Sequence, residues 1–501
     1  MQARSTLIAP LVVVLVAILL EAQVAPAPTR AFKIEETRLG SLTQYDGTNS
    51  ATFSPDGKRL AYVVGKSAKQ LVIADGKAGP EYDGVSSPIF SPDGKRLTYL
   101  AKTGNKLRVV VDGKADAEYD KIVTATMFSS DGKRVAYVAQ KGDKQLVVVD
   151  GQAGAEYDET GNLIFSPDGS SVAYLAKNGG KMFAVVNGRP DKEYDGIGKG
   201  GVTFSPDGKS IAFWGENAYG GQAMPRWDLM VGGRNVDVSS GFQQGVPVFS
   251  PDGKVVAYSA GNGKIRGGAI VAHGANGPVS VPGLTHAADE NLYYGPIYDV
   301  VSDPIFSPNG KRMAYAARRG AKWFVLVDGE AREEEIGSGS LTFSPDSNRV
   351  AYVARRGGTF LVVVDGRAGG GFDRVGNPHF SPDGKHVAFQ AKRGEKLLVV
   401  VDGREGVEYD WAASPVFSPD GLHCAYFATK GPKSFVVVDE QTGADFDTMG
   451  DSTPAFHPDG VLEFLAIKNG APRVAVKSTP GSKSPATIGY ALYRVKYIPA
   501  P

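Results

Sequence analysis

The chain has 501 residues, with 55 lysines and arginines against 54 aspartates and glutamates, a formal net charge of +1. That balance excludes a general nucleic-acid binder, which would carry a basic excess, and leaves room only for local patches. A single cysteine, Cys424, excludes any intrachain disulfide; inside a strand-like run it reads as a small buried hydrophobe.

Residues 1–27 stand apart from everything after them. Arg4 gives a positive start, and Leu7 to Leu20 is an apolar run broken only by Pro10. At 1.5 Å per residue that run reaches about 21 Å, short of a bilayer core of about 30 Å. An Ala/Pro-rich stretch follows, with Ala25-Pro26-Ala27 as a small-x-small cleavage site. The segment reads as a secretory signal peptide. It places the mature chain in the periplasm or outside the cell, with no membrane span once cleaved. An uncleaved N-terminal anchor is the alternative. No cysteine lies nearby for a lipid anchor.

From Phe53 onward the chain writes versions of Phe-Ser-Pro-Asp-Gly eleven times, beginning at Ser54, Ser91, Ser129, Ser166, Ser205, Ser250, Ser307, Ser344, Ser381, Ser418 and His457. Most copies are 37 to 39 residues apart. The repeat from Pro88 to Ser129 is typical. Pro88-Ile89-Phe90 is a short apolar strand, and Ser91-Pro92-Asp93-Gly94 is a turn in which proline presets φ and glycine takes positive φ. Arg96 to Ala101 is a second strand, and Lys102 to Lys106 is a polar loop. Leu107 to Val111 is a third, β-branched strand, Asp112-Gly113 is a hairpin signal, and a short fourth strand ends at Glu118-Tyr119-Asp120. Four strands joined by short turns in this length is one propeller blade. No helical period runs through any repeat. A Tyr-Asp or Phe-Asp pair precedes most motifs, from Tyr82-Asp83 to Phe446-Asp447, and also stands before the first one, at Tyr45-Asp46. The chain therefore enters the array in the last strand of a blade. A strand from the other end of the chain would close a ring and leave no free edge.

The run Ser-Pro-Asp-Gly-Lys-Arg-Leu-Ala-Tyr followed by Val-Val-Val-Asp-Gly resembles the WD-like repeat of TolB-type β-propellers, over roughly Phe32 to Lys477. The resemblance implies an all-β fold of four-stranded blades. It does not carry a role, because such repeats occur in binding proteins and in propeller domains of peptidases alike. Rings usually hold about four to eight blades, so eleven repeats suggest tandem β-propellers in two rings. The spacing widens to 45 and then 57 residues after Ser205 and Ser250. The expected division is a first propeller over 30–285, with six blades, and a second over 290–501, with five. Tyr45-Asp46 would close the first ring and Tyr298-Asp299 the second. One large ring is the alternative.

Strand order sorts the loops onto two ends. The Ser-Pro-Asp-Gly and Val-Asp-Gly turns share one end and read as architecture. The other end carries variable loops that are basic in almost every repeat, among them Lys66 and Lys69, Lys102 and Lys106, Arg318 and Arg319, Lys392 and Arg393. They would face an anionic partner, or be ordinary polar loops offset by nearby carboxylates. The fifth repeat lengthens this loop to Gly215–Trp227. Trp214, Tyr219, Met224, Arg226 and Trp227 there are the expected partner-binding residues, since aromatics and arginine favour interfaces. The same indoles could instead pack between blades. His286, Asp289 and Glu290 have unspecific spacing, and an inter-ring linker reads better there than a metal site; no metal or cofactor is expected. His386 and His423 stand at equivalent places where other repeats have Lys or Arg, and read as exposed strand residues. No Gly-x-Ser-x-Gly elbow, phosphate loop or zinc motif occurs, so no catalytic residue is assigned. The reading is an exported β-propeller scaffold that binds a protein or an anionic ligand through one loop face. The alternative is a propeller lyase or hydrolase acting on a glycan or small anionic substrate near the fifth and sixth repeats.

Overall fold

The computed structural model describes residues 32–41, 48–198, 200–217, 226–240, 245–261, 268–274, 281, 283–286, 292–336, 341–449, 454–469 and 490–499. The signal-peptide reading of residues 1–27 and the Tyr45-Asp46 marker lie outside them. Among the described residues there is no helix, and the strands form eleven antiparallel sheets. Each sheet is one repeat. The second is built from Gly84–Val85 with Ile89–Phe90, then Leu97–Thr103, Lys106–Val111 and Lys114–Ala115, in the order of the chain. Tyr119 extends its outer strand by bridging Leu107.

The turns follow from their residues. Asp112 (φ 52°) and Gly113 (φ 77°) both take the left-handed region, as a two-residue hairpin loop matching strand twist requires. The Phe-Ser-Pro-Asp-Gly turn is held by a buried serine. Ser91 is fully buried; its Oγ donates to Asp93 Oδ1 at 2.6 Å and accepts from the Arg96 amide at 2.9 Å. The same triangle recurs from Ser54 to Ser418, with Asn309 standing in for aspartate in the seventh repeat. This hydrogen bond from serine lowers the carboxylate pKa, to about 2 at Asp131 and Asp383.

Neighbouring sheets pack face to face through their second and third strands. Ala136, Val138 and Val147 of the third sheet meet Tyr174, Ala176 and Phe183 of the fourth, with Tyr157 wedged between. The tyrosine of each Tyr-Asp marker is thus an inter-sheet core residue: Tyr119 lies edge-on to Tyr137 and Tyr409 to Tyr426. First strands of neighbouring sheets also touch, as Thr48–Phe53 does Ile89–Phe90 and Val416–Phe417 does Ala455–Phe456. That edge of each sheet therefore faces the inside of the array.

Sheets six and seven, between which the spacing suggests a boundary, share a core. Val255, Ala257 and Ile270 pack with Met313, Tyr315 and Leu326, and Val281 and Tyr298 complete the cluster. Gly283 (φ 75°) lies so close to the Asp328-Gly329 turn that an added Cβ would enter its backbone. The chain ends meet elsewhere. Phe32–Ser41 pairs antiparallel with Tyr490–Pro499, with Glu35 opposite Lys496, and forms the outer strand of the eleventh sheet. Among the described residues, the sixth sheet is built from segments between Val248 and Tyr294. His457 of the eleventh turn donates from Nδ1 to the Pro55 carbonyl of the first, at 3.2 Å.

Candidate functional site

The tight-turn end is given over to holding sheets together. Arg134 donates from Nε to Asp150 of its own sheet at 3.0 Å and from Nη1 to the Ser170 carbonyl of the next sheet at 2.8 Å, and lies over Phe165 of that sheet. Arg59, Arg312 and Arg349 make the same clasp, and Arg96 makes its two hydrogen-bonded arms. In the ninth and tenth repeats histidine takes this place. His386 and His423 each contact an aspartate, Asp402 and Asp439, through Nδ1 at 2.6 Å. The sequence reads both as exposed, but His386 is half-buried and His423 is 4% exposed. Cys424 beside it is buried, and burial pushes its thiol up to about 12, which leaves no thiolate for chemistry.

At the other end the basic loops are largely neutralised. Lys106 pairs with Asp120 and Lys144 with Asp158, each at 2.6 Å; Lys69 pairs with Asp83, Lys181 with Asp195 and Lys396 with Asp410. Each of these aspartates is the second residue of a Tyr-Asp marker. Its other oxygen usually accepts an amide from the next repeat's loop, as Asp120 does from Gly142 at 2.8 Å and Asp158 from Gly179 at 2.8 Å. Lysine and amide together lower these carboxylates. Most of the cations therefore act as offset polar loops that tie one sheet to the next.

Trp214 and Trp227, expected to offer contact surface, are 1% and 7% exposed. They pack with Leu229 and Tyr258 between sheets five and six, and Trp214 Nε1 donates to the Gly245 carbonyl at 3.1 Å. Their rings are inter-sheet packing. Arg226 is partly exposed and pairs with buried Asp228 at 3.0 Å, and Asp228 also accepts from Asn217. Tyr219 and Met224 lie outside the described residues, as do Asp289, Glu290 and the side chain of His286. Among the described residues no three His, Cys, Asp or Glu side chains converge on one point, and no helix is long and apolar enough to cross a membrane.

The exposed indole is Trp411, at 47%. It follows the Tyr409-Asp410 marker and opens the first strand of the tenth sheet, on the inside edge at the lysine-loop end. Its strand is fixed to the ninth sheet by a hydrogen bond from the Gln390 amide to the Ala412 carbonyl. Two residues along from Gln390, Lys392 stands directly opposite Arg374, which holds in the ninth sheet the place Trp411 holds in the tenth. Arg374 is exposed and Lys392 half-exposed. The sequence reading missed this group. Trp411 sits in regular repeat spacing, and only its type, where other repeats have glycine, lysine, glutamate, valine, arginine or threonine, sets it apart.

Eleven four-stranded antiparallel sheets, packed in series with first strands inward, are the blades of a β-propeller. Residues 77–282 match the family model of the TolB β-propeller domain. No curated protein matches the chain in sequence. Among solved structures it is similar to a eukaryotic initiation factor, at 12% identity over 79% of this chain and 98% of that one, with a TM-score of 0.43. It is similar to TolB from Acinetobacter baumannii at 16% identity, over 51% and 66% of the two chains, with a TM-score of 0.23. An oligogalacturonate lyase in complex with manganese is similar at 12% identity, over 67% and 96%, with a TM-score of 0.28.

Proposed function

We propose that this protein is an exported β-propeller binding module that takes its partner on the lysine-loop face, at the inner rim of the ninth and tenth sheets. The observation that carries the reading is Trp411: a large aromatic left half in solvent on a β-strand, in the sheet adjoining the one that sets Arg374 opposite Lys392. Binding energy concentrates on such anchors. Loops and rims on a stiff scaffold are the usual place for recognition. The sixth and seventh sheets share a core and the N-terminal strand completes the last sheet. Both features support one closed ring of eleven blades rather than two rings. Export rests on the composition of residues 1–27 and is checked by the N-terminal mass of the mature protein. A protein that retains Met1 and stays in the cytoplasm contradicts it.

The test of function is site-specific photo-crosslinking in the cells that make the protein. A benzoylphenylalanine at Trp411 is expected to capture a defined partner, while one at Lys95, exposed on the tight-turn face, captures none. Equal capture from both positions, or none from Trp411, contradicts a binding face at this rim.

A further inference from the structure

The ninth sheet differs from the others at one register position. The residue after each marker aspartate faces a partner on the second strand, and elsewhere these pairs are neutral, mixed or opposite in sign. Gly84 faces Lys102, Lys121 faces Gln140, Glu159 faces Lys177, Val300 faces Arg318 and Glu335 faces Arg355. At this position, among the described sheets, only in the ninth do two like charges, Arg374 and Lys392, stand directly opposite; like-charged pairs elsewhere, such as Lys66 opposite Lys69 and Lys141 opposite Lys144, flank the hairpin loops. Like charges so placed destabilise a sheet. The nearest marker carboxylate, Asp373, turns one oxygen to the Gly394 amide at 2.6 Å. The lysine that pairs with this aspartate in other repeats is replaced by Thr359. One carboxylate thus stands beside two cations, with the exposed face of Trp411 in the adjoining sheet.

The surrounding acids are already engaged. Asp410 holds Lys396 and the Gly431 amide, and Glu405 and Glu408 hold Arg393. A sugar lying on Trp411 would need acceptors for its hydroxyls, and these carboxylates are taken. A carboxylate-bearing chain needs only donors and an apolar surface, which Arg374, Lys392 and Trp411 provide. The inner edge also resists strand addition. Pro88, Pro304, Pro378 and Pro415 interrupt the first strands of the second, seventh, ninth and tenth sheets, and proline removes an edge donor. Recognition at this rim therefore goes through side chains.

We propose that Arg374, Lys392 and Trp411 form a recognition site for an acidic peptide segment of a partner protein, with side-chain carboxylates on the two cations and an apolar or aromatic residue on the indole. The proposal rests on the binding reading above and names the chemistry of its occupant. The probe is an array of twelve-residue peptides rich in Asp and Glu, each beside its Asn/Gln counterpart, read with the full mature chain. Acidic peptides are expected to be retained over their amide counterparts, with affinity falling as salt rises. Arg374→Glu with Lys392→Glu, and separately Trp411→Ala, are each expected to weaken the retained peptides at least about tenfold. Circular dichroism and melting of the variants confirm that they are folded. Equal retention of amide counterparts, or retention unchanged in the charge-reversed variant, overturns the proposal. So does retention of polygalacturonate, lost in that variant, with no acidic peptide retained. Capture from position 411 without acid preference would overturn this occupant alone and leave the binding face standing.

Discussion

At the scale of single residues, the four tryptophans divide by environment. Trp214 and Trp227 are buried between sheets, Trp323 lies under the Arg318 guanidinium, and Trp411 is half in solvent in the sheet next to the one that carries Arg374 and Lys392. Iodide, drawn by those cations, is expected to quench part of the emission, and Trp411→Phe is expected to remove most of that part. Stern–Volmer plots that coincide for the two proteins would show that another indole is the accessible one. Arg134 tests a different role. Its clasp joins a carboxylate, a carbonyl and an aromatic ring across two sheets, so Arg134→Ala is expected to cost about 1–2 kcal/mol in denaturant unfolding. Arg134→Lys should recover little of it, because only guanidinium reaches all three partners at once. A loss below about 0.3 kcal/mol would demote the clasp to a surface contact. These residues also show where sequence reading stops. Trp214 and Trp227 stand out in the sequence because they bracket an insertion, yet the wedge between sheets takes both rings. The arginine clasp was legible only as a recurring Lys-Arg dipeptide, since its partners lie about 16 and 36 residues away in sequence.

At the scale of the repeat, the sequence shows nearly everything, because each strand and turn is local. The Ser-Pro-Asp-Gly and Asp-Gly signals fall on the observed turns, and the apolar runs on the observed second and third strands. The marker pair could be located in the sequence but not explained by it. Its tyrosine proves to be the inter-sheet wedge, and its aspartate a lock on the next loop. The basic loops reverse their apparent meaning for the same reason, since the neutralising aspartate lies 14 residues from its lysine. The turn aspartates make a stability prediction. Their folded pKa values are depressed, first by the serine hydroxyl and then by a backbone amide. Stability from a depressed carboxylate is present above its unfolded pKa and lost as pH falls through the folded value. Thermal stability is therefore expected to be flat down to about pH 4 and to fall between about pH 4 and pH 2, the loss shrinking in Asp131→Asn. Unfolding that begins near pH 6 would contradict this assignment.

At the scale of the whole molecule, the sequence counts the repeats but does not say how they close. The widened spacing after Ser205 and Ser250 invites a boundary, and the usual size of propeller rings strengthens the invitation. Pairing between residues more than 450 positions apart has no local signature, and it is this pairing, Phe32–Ser41 with Tyr490–Pro499, that joins the last sheet to the first strand. Contacts between successive tight turns run through the supposed boundary, from Gly253 against Pro206 to Gly310 against Pro251. One ring would place Arg374, Lys392 and Trp411 on an inner rim shared by all the blades, accessible to a partner from a single face. Two rings would put that rim on a smaller second disc. Electron microscopy of the purified mature chain separates these directly. The account predicts class averages with one annulus of eleven spokes; two linked discs, of about six and five spokes, would contradict it.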